Sequence, residues 1–376
     1  MGNSVLDSRM RAQCSTATIT KFYTSDAWID GHAEDQLQHV AKMTGVQHIA
    51  AFPDLHLGKY GPVGCAVLAD RIYPQLIGND IGCGMSLFRL DLKLRKIKLE
   101  KAVRRLRELG QISSIDYRDR LVGVGLASSL LPETLGTIGA GNHFCELQTL
   151  KSADRNIGLD LAQTYLLVHS GSRSLGTYVL NNLPDHAFIG LDPDSSAAKK
   201  YVGQHNQAVV WAKLNRQIIA ERAAKALRAD VSLIVDVPHN LLSFGASGWV
   251  HRKGAACADG NLVPLAGTRA TPSYLMRSLP NAIGNLQSTA HGAGRKFDRS
   301  SMHGRVRAKK SDIAEMQRTP FGGRIICEDK AVLLEEAPQA YKTAKIVMSD
   351  LEATCLSTCV ATFHPLVTFK KIRGGR

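Results

Sequence analysis

The chain has 376 residues, 44% of them hydrophobic, 21% charged and 6% aromatic. That balance is near the globular average and the length allows a large core, which excludes disorder, a collagen-like fibre and a small disulfide scaffold. Lys plus Arg is 47 against 33 Asp plus Glu, a formal net charge of +14; such an excess points to a polyanion, nucleic acid before an anionic membrane surface.

Residues 26–43 carry a broken apolar face (Ala27, Ile29, Leu37, Val40, Ala41) that predicts a helix. From Gln47, short apolar runs alternate with Gly-rich turns, HIAAFPDLHLGKYGPVGCAVLAD and then PQLIGNDIGCGMSLFRLDL, the texture of strands ending in tight turns. Leu99, Val103, Leu106 and Leu109 return at helical spacing, with Lys101, Arg104, Arg105 and Arg107 opposite and Gly110 as a stop. A basic face of this kind is either solvated or in contact with phosphates. Residues 183–198 have loop chemistry, and helical texture follows from 199 to about 229. The basic segment 296–324 reads as exposed, with one short helix near 311–317. Residues 335–354 read as helix apart from Pro338, and LVTFKKIRGGR reads as a strand entering a basic tail. The mixture has no βαβ rhythm and no fixed-period repeat, so the expected class is α+β.

The eight cysteines are Cys14, Cys65, Cys83, Cys145, Cys257, Cys327, Cys355 and Cys359, and no pair has C-x-x-C spacing. With no signal peptide they read as reduced thiols of a cytoplasmic protein. No apolar run is long enough to span a bilayer, and Leu6 breaks the myristoylation pattern, so no membrane role is expected.

One pattern recurs five times. An apolar run meets a His, Asp or Cys beside Gly, Asn or Ser: LIGNDIGCG (Asp80, Cys83), TIGAGNHF (His143), LLVHSGSR (His169), LIVDVPHN (His239) and STAHGAGR (His291). Strand ends hold side chains rigidly and Gly-rich turns admit a ligand, so the five together point to a metal or catalytic cluster. One thiolate, one carboxylate and several imidazoles suit Mn, Fe or Zn. Asp80 and Cys83 share one turn, and a thiolate can bridge two cations about 3.5–4 Å apart. SGSR and GAGR add backbone N–H groups and an Arg, a phosphate nest. There is no Walker A motif and no Lys-x-Asp-Gly, so a covalent phosphoryl route would fall to His rather than Lys.

These strings in order, PDLHLG, GNDIGCGM, GAGNHFCE, VHSGSRSLG, HRKGA, AGTRATPSY, AHGAGR, CEDKAVLLEEAPQAYK and HPLVTFKK, resemble the RtcB family of RNA ligases. The resemblance implies an α+β fold with ligands gathered at strand ends in a central cleft, and one catalytic domain over 1–376. It implies GTP as cosubstrate, two Mn²⁺ ions, and RNA as substrate, such as broken tRNA or rRNA ends. It leaves room for an activating protein. By position, His291 would take GMP, and Asp80, Cys83, His143, His169 and His239 would bind metal. The GMP/GTP pocket would comprise Asn142, Phe144, Glu146, His239, Asn240, Thr268, Ser273, His291, Gly292, Ala293, Gly294 and Lys370, or Lys371 by a shift of one. Phe144 would pack on guanine and Glu146 would accept its N1 and N2 hydrogens. Arg173, Arg295 and Arg299 would meet RNA or phosphate, with Arg252 and Lys253 as further candidates. The family's Pro-Gly-Ser-x-Gly loop reads Ala266-Gly267-Thr268-Arg269-Ala270 here, which suggests a divergent subgroup suited to RNA repair. A metal-dependent hydrolase would use the same cluster without labelling His291. A non-catalytic RNA-binding protein would explain the charge but not the cluster.

Overall fold

The computed structural model describes residues 17–372, apart from 112, 246, 259, 281, 282, 307 and 308. Cys14, the pattern at 1–6 and the end of the tail at 373–376 lie outside the described residues. In chain order the elements are β1 (Thr18–Lys21), α1 (Gly31–Ala41), β2 (Val46–His56), β3 (Val63–Ala69), β4 (Gly84–Lys93), α2 (Leu99–Leu106) and α3 (Arg118–Gly123). There follow β5 (Phe144–Ala153), β6 (Gln163–Ser170), α4 (Ser174–Asn181), α5 (Ser196–Leu227), β7 (Val231–Pro238), β8 (Asn240–Gly245), β9 (Gly248–Lys253) and β10 (Ala255–Cys257). The rest are β11 (Leu262–Leu265), β12 (Ser273–Ser278), β13 (Ser288–Ala290), α6 (Met302–Arg305), α7 (Lys310–Met316), β14 (Arg324–Cys327), α8 (Lys330–Glu335), α9 (Ala344–Ala353) and β15 (Ser357–Lys371). Among the described residues the strands form an eight-stranded sheet, β11-β12-β15-β5-β6-β4-β7 with β14 beside β15, a five-stranded sheet, β1-β2-β3-β9-β8, and the pair β10-β13. The fold is α+β, as expected.

Helix α5 organises the back of the large sheet. Ser195 caps it by accepting the Ala198 N–H. Its buried positions recur every three or four residues, and Ile219, Ala220, Ala223, Ala224 and Leu227 pack on Phe88, Leu147, Leu166 and Val168 of β4, β5 and β6. Each fully buried Leu or Ile contributes about 1.5–3 kcal/mol, so this face anchors the helix firmly. A second core joins Phe52, Ala66, Leu265, Tyr274 and Ala290 to Val347 and Leu351 of α9, which fastens the five-stranded sheet and β13 to the large sheet.

Some readings change. The 183–198 segment contains a 3-10 turn at Asp185–Ile189, and 296–324 holds two short helices, α6 and α7, rather than one. The expected helix over 335–354 is interrupted. α8 stops at Glu335, Pro338 opens a 3-10 turn, and α9 starts at Ala344. Proline lacks the N–H a helix interior needs, and the interruption turns Glu336, Tyr341 and Lys342 inward.

Candidate active site

Antiparallel order brings the ligands together. β4 and β5 begin at the edge where β6 and β7 end: His169 pairs with Phe144 on one side and Met85 on the other, and Gly84 pairs with Pro238. Cys83 and His143 thus lead into strands, whereas His169 and His239 stand where strands finish. The expectation that an apolar run stops at each ligand needs correcting for Asp80, Cys83 and His143. Ile77, Ile81 and Ile138 before them are buried from loops, so apolar sequence there does not mean strand.

The Asp80–Cys83 turn closes with the Cys83 N–H on the Asp80 carbonyl at 3.1 Å. Gly82 takes φ +71° against α5, where a Cβ would come within 2.9 Å of Ala212 and Val209. Two adjacent α5 residues brace the whole edge from behind. Arg216 donates to the carbonyls of Gly82 (2.7 Å) and Ser170 (2.9 Å) and pairs with Asp236 of β7. Asn215 donates to the Thr137 carbonyl and the Ser170 hydroxyl, both at 3.1 Å, and accepts the Gly136 N–H at 2.7 Å. Segments adjoining all four ligand-bearing strands are therefore tied to one buried turn of helix.

In front, donor atoms converge. The His143 Nε2 lies 2.8 Å from the Asp80 carboxylate and 3.3 Å from the Cys83 Sγ. The His169 Nε2 lies 3.2 Å from that sulfur and 3.3 Å from the His239 Nε2. The atoms form two trios, Asp80–Cys83–His143 and Cys83–His169–His239, which share Cys83. His143 Nδ1 donates to the Ile138 carbonyl at 3.1 Å, which leaves Nε2 as the nitrogen that faces the carboxylate and the sulfur. Nitrogen, oxygen and sulfur atoms gathered this closely are the kind of donor set that holds a cation. Burial lowers His169 and His239 well below the usual range, keeping them neutral, the form that ligates. Burial and then Asp80 push the Cys83 thiol up, so a cation is what would hold it as thiolate. Burial raises Asp80, but His143 and Cys83 more than offset this and leave it at about 2. The donor set fits a divalent metal, and both trios would draw on Cys83.

His291 arrives from elsewhere, just after β13, its ring centroid 4.4 Å from that of His239. Its Nδ1 lies 2.7 Å from both the Gly254 carbonyl and the Asp54 carboxylate, and Asp54 also accepts its backbone N–H at 3.1 Å. The neutral ring therefore keeps its hydrogen on Nδ1 and presents Nε2 as the nitrogen with the free lone pair. Gly294 at φ +70° lets the chain pass Asp54, whose carbonyl would lie 2.3 Å from a Cβ. Lys342 donates to the carbonyls of Pro53 and Leu55, both at 2.8 Å, fixing the backbone on either side of Asp54.

The family model described as tRNA-splicing ligase RtcB matches residues 36–119 and 126–371. The chain belongs to the RtcB family. It is 38% identical over 362 residues to "RNA-splicing ligase RtcB2" of Escherichia coli (strain ATCC 25922), covering 93% of this chain and 95% of that one. It is 28% identical to "RNA-splicing ligase RtcB" of Escherichia coli (strain K12), covering 88% and 92%. It is 27% identical to "tRNA-splicing ligase RtcB" of Nanoarchaeum equitans, covering 93% and 94%.

Most residues suggested by the RtcB resemblance line one cleft of about 650 Å³, namely the five metal candidates, His291 to Gly294, Asn142, Phe144, Glu146, Asn240 and Thr268. Phe144 meets the His169 ring edge-on at 5.6 Å. Burial raises Glu146 to about 7; Thr368 and Gln148 each donate to one of its oxygens. Asn240 bridges the Asp80 carbonyl and the Gly254 N–H. Lys370 lines the cleft and donates to the Gly141 carbonyl at 3.0 Å, whereas Lys371 pairs with Asp329, so the geometry favours Lys370. Ser273 does not line it: its hydroxyl accepts the Gly267 N–H from behind the Thr268 loop.

The arginines divide. Arg173 lines the cleft at φ +58°, a backbone strain of about 1–3 kcal/mol that functional sites retain. Arg299 is half-exposed. Arg295 is engaged by Phe297, Glu335, Glu336 and Tyr341, so it organises the wall. Arg252 is buried on Ser243, Ser288 and Leu286, which removes it from the RNA candidates. Sequence reasoning missed Asp54, Glu336 and Lys342. Their strings PDLHLG and EEAPQAYK were recognised, but nothing in the spacing says that Asp54 meets His291 or that Glu336 gathers Arg295, Arg299 and Lys370. No helix among the described residues is long and apolar enough to cross a membrane.

Proposed function

We propose that this chain is a GTP-dependent RNA ligase. It joins a 3′-phosphate or 2′,3′-cyclic phosphate end to a 5′-hydroxyl end through GMP covalently held on His291. The observation that carries the reading is the His291 ring: Gly254 and Asp54 hold Nδ1, so the neutral ring keeps its hydrogen there and Nε2 is the nitrogen left to act as nucleophile. The relatives named RNA- and tRNA-splicing ligases support the substrate class.

Nε2 attacks the α-phosphorus of GTP, a P–N bond forms and pyrophosphate departs. The GMP passes to an RNA 3′-phosphate, and a 5′-hydroxyl then displaces it to seal the strand. A cyclic end is first opened by water. Asp80, Cys83 and His143 would hold one Mn²⁺ and Cys83, His169 and His239 the other; bound there, the ions polarise phosphate oxygens and offset charge on the leaving group. Glu146 accepts the guanine N1 and N2 hydrogens, Phe144 packs on the base, and Lys370 meets it from β15. Arg173 and Arg299 steady phosphates. The net charge of +14 suits broken tRNA or rRNA ends as substrate. A cleft reaching from His56 to Lys370 supports one catalytic domain, and a Cys83 that ligates metal as thiolate would suit a reducing compartment such as the cytoplasm.

Incubation with radiolabelled GTP and Mn²⁺, followed by a denaturing gel, tests the reading. Wild type retains label and His291→Ala does not. Label on His291→Ala would refute the nucleophile, and an unlabelled wild type that hydrolyses phosphate esters would favour a metal-dependent hydrolase.

A further inference from the structure

Two exposed rings, the exposed Lys59 and the half-buried Lys253 stand together at the rim of the cleft; of these only Lys253 has been named above, as an RNA candidate. Tyr60 is 40% exposed and Phe188 43%, with ring centroids 6.3 Å apart and planes 52° from parallel. Lys59 Nζ lies 4.8 Å from the Tyr60 centroid and Lys253 Nζ 5.9 Å. Leu57 and Ile189 flank the rings and are also exposed. Neither loop is loosely held. Gln36 makes two hydrogen bonds to the Gly58 backbone, Gln75 donates to the Phe188 carbonyl at 2.7 Å and Arg71 to that of Gly190 at 3.2 Å. Grouped apolar exposure at a cleft mouth marks a contact surface.

We propose that Tyr60 and Phe188 form a stacking platform for an unpaired base at one RNA end, with Lys59 and Lys253 holding the adjoining phosphates. This rests on the RNA-ligase reading. Two observations favour RNA as the occupant. The lysines supply cationic partners beside the rings, the combination that binds single strands without regard to sequence. The platform is also continuous with the chemistry: Lys59 lines the cleft, and Lys253 precedes Gly254, whose carbonyl holds His291. A base stacked there leaves its terminal phosphate or hydroxyl to enter the cleft.

The test uses the full chain and two short single-stranded RNAs, one with a 3′-phosphate and one with a 5′-hydroxyl, each carrying 2-aminopurine at that end. Wild type quenches one of the two, which identifies the end that stacks. Tyr60→Ala loses the quenching and binds that RNA about tenfold more weakly or worse. Tyr60→Phe keeps both, and Phe188→Ala repeats the loss should Tyr60→Ala fail to fold. GMP labelling of His291 stays at the wild-type level in each folded variant. Tyr60→Ala and Phe188→Ala binding RNA as tightly as wild type, with quenching intact, would overturn the platform and turn the patch over to a protein partner. A wild type that labels with GMP but binds neither RNA would overturn the ligase reading itself, and the platform with it.

Discussion

Arg216→Met removes the brace behind the metal edge. Arg216 is 1% exposed. It pairs with Asp236 through Nε (2.7 Å) and Nη2 (3.1 Å), meets the Ser86 hydroxyl at 3.0 Å, and supplies Nη1 to the Gly82 and Ser170 carbonyls. Methionine fills much of the space and offers no donor. Removing one partner of a buried pair costs about 3–5 kcal/mol, and each carbonyl left without its donor adds about 1–3 kcal/mol. The single variant should therefore lose at least about 3 kcal/mol in urea unfolding. Adding Asp236→Leu should recover most of the ion-pair part, because replacing both partners with apolar groups is close to neutral. Metal content, measured under native conditions, should fall in the single variant because Gly82 and Ser170 adjoin Cys83 and His169. The pH dependence follows from Asp236. Burial raises its carboxyl, but Arg216 and then Ser86 more than offset this and hold it below the ordinary range. The unfolded chain thus binds this proton first as pH falls. The stabilisation is complete above about 3.9 and is lost as pH drops through the depressed native value. The gap between wild type and Arg216→Met should narrow over that acid window. A loss under about 1 kcal/mol in the single variant, no recovery with Asp236→Leu, or full metal content would refute the brace.

Two further outcomes separate roles inside the cleft. Cys83→Ala should lose most of its bound Mn²⁺ by elemental analysis, since both trios share that sulfur, while Cys65→Ala, buried in another core, should keep it; equal content in both variants would remove Cys83 from the site. Glu146→Gln should narrow the preference for GTP over ATP in adduct formation, since an unpaired buried acceptor costs about 1–3 kcal/mol, and wild-type use of GTP should rise with pH through about 7 as the carboxyl ionises, a rise the variant lacks. An unchanged preference would take Glu146 out of the pocket.

The histidines show what sequence carries and what it cannot. His205 and His251 are buried like the ligands, yet each is occupied at both ring nitrogens. His205 meets Asn206 and accepts the Leu242 N–H, and His251 donates to Val67 and accepts the Tyr73 N–H. His143 has one nitrogen fixed by a backbone carbonyl and the other turned to Cys83 and Asp80. The Gly-rich turns beside His143, His169 and His291 made that difference legible, because they mark places where backbone leaves room for a ligand; His239, followed by Asn240 with no glycine beside it, was legible only as one of the set. Helix α5 was legible for a similar reason, its apolar period being long and regular. What stayed hidden depends on distance along the chain. Asp54 and His291 are separated by 237 residues, and Asn215 and Arg216 read as ordinary polar positions on a helix. A local pattern records which face a residue lies on; it holds no record of which distant backbone that face will meet. The supporting groups of this site, Asp54, Lys342, Glu336 and the α5 pair, all make such meetings, so the residues proposed to do the chemistry were easier to read than those that hold them in place.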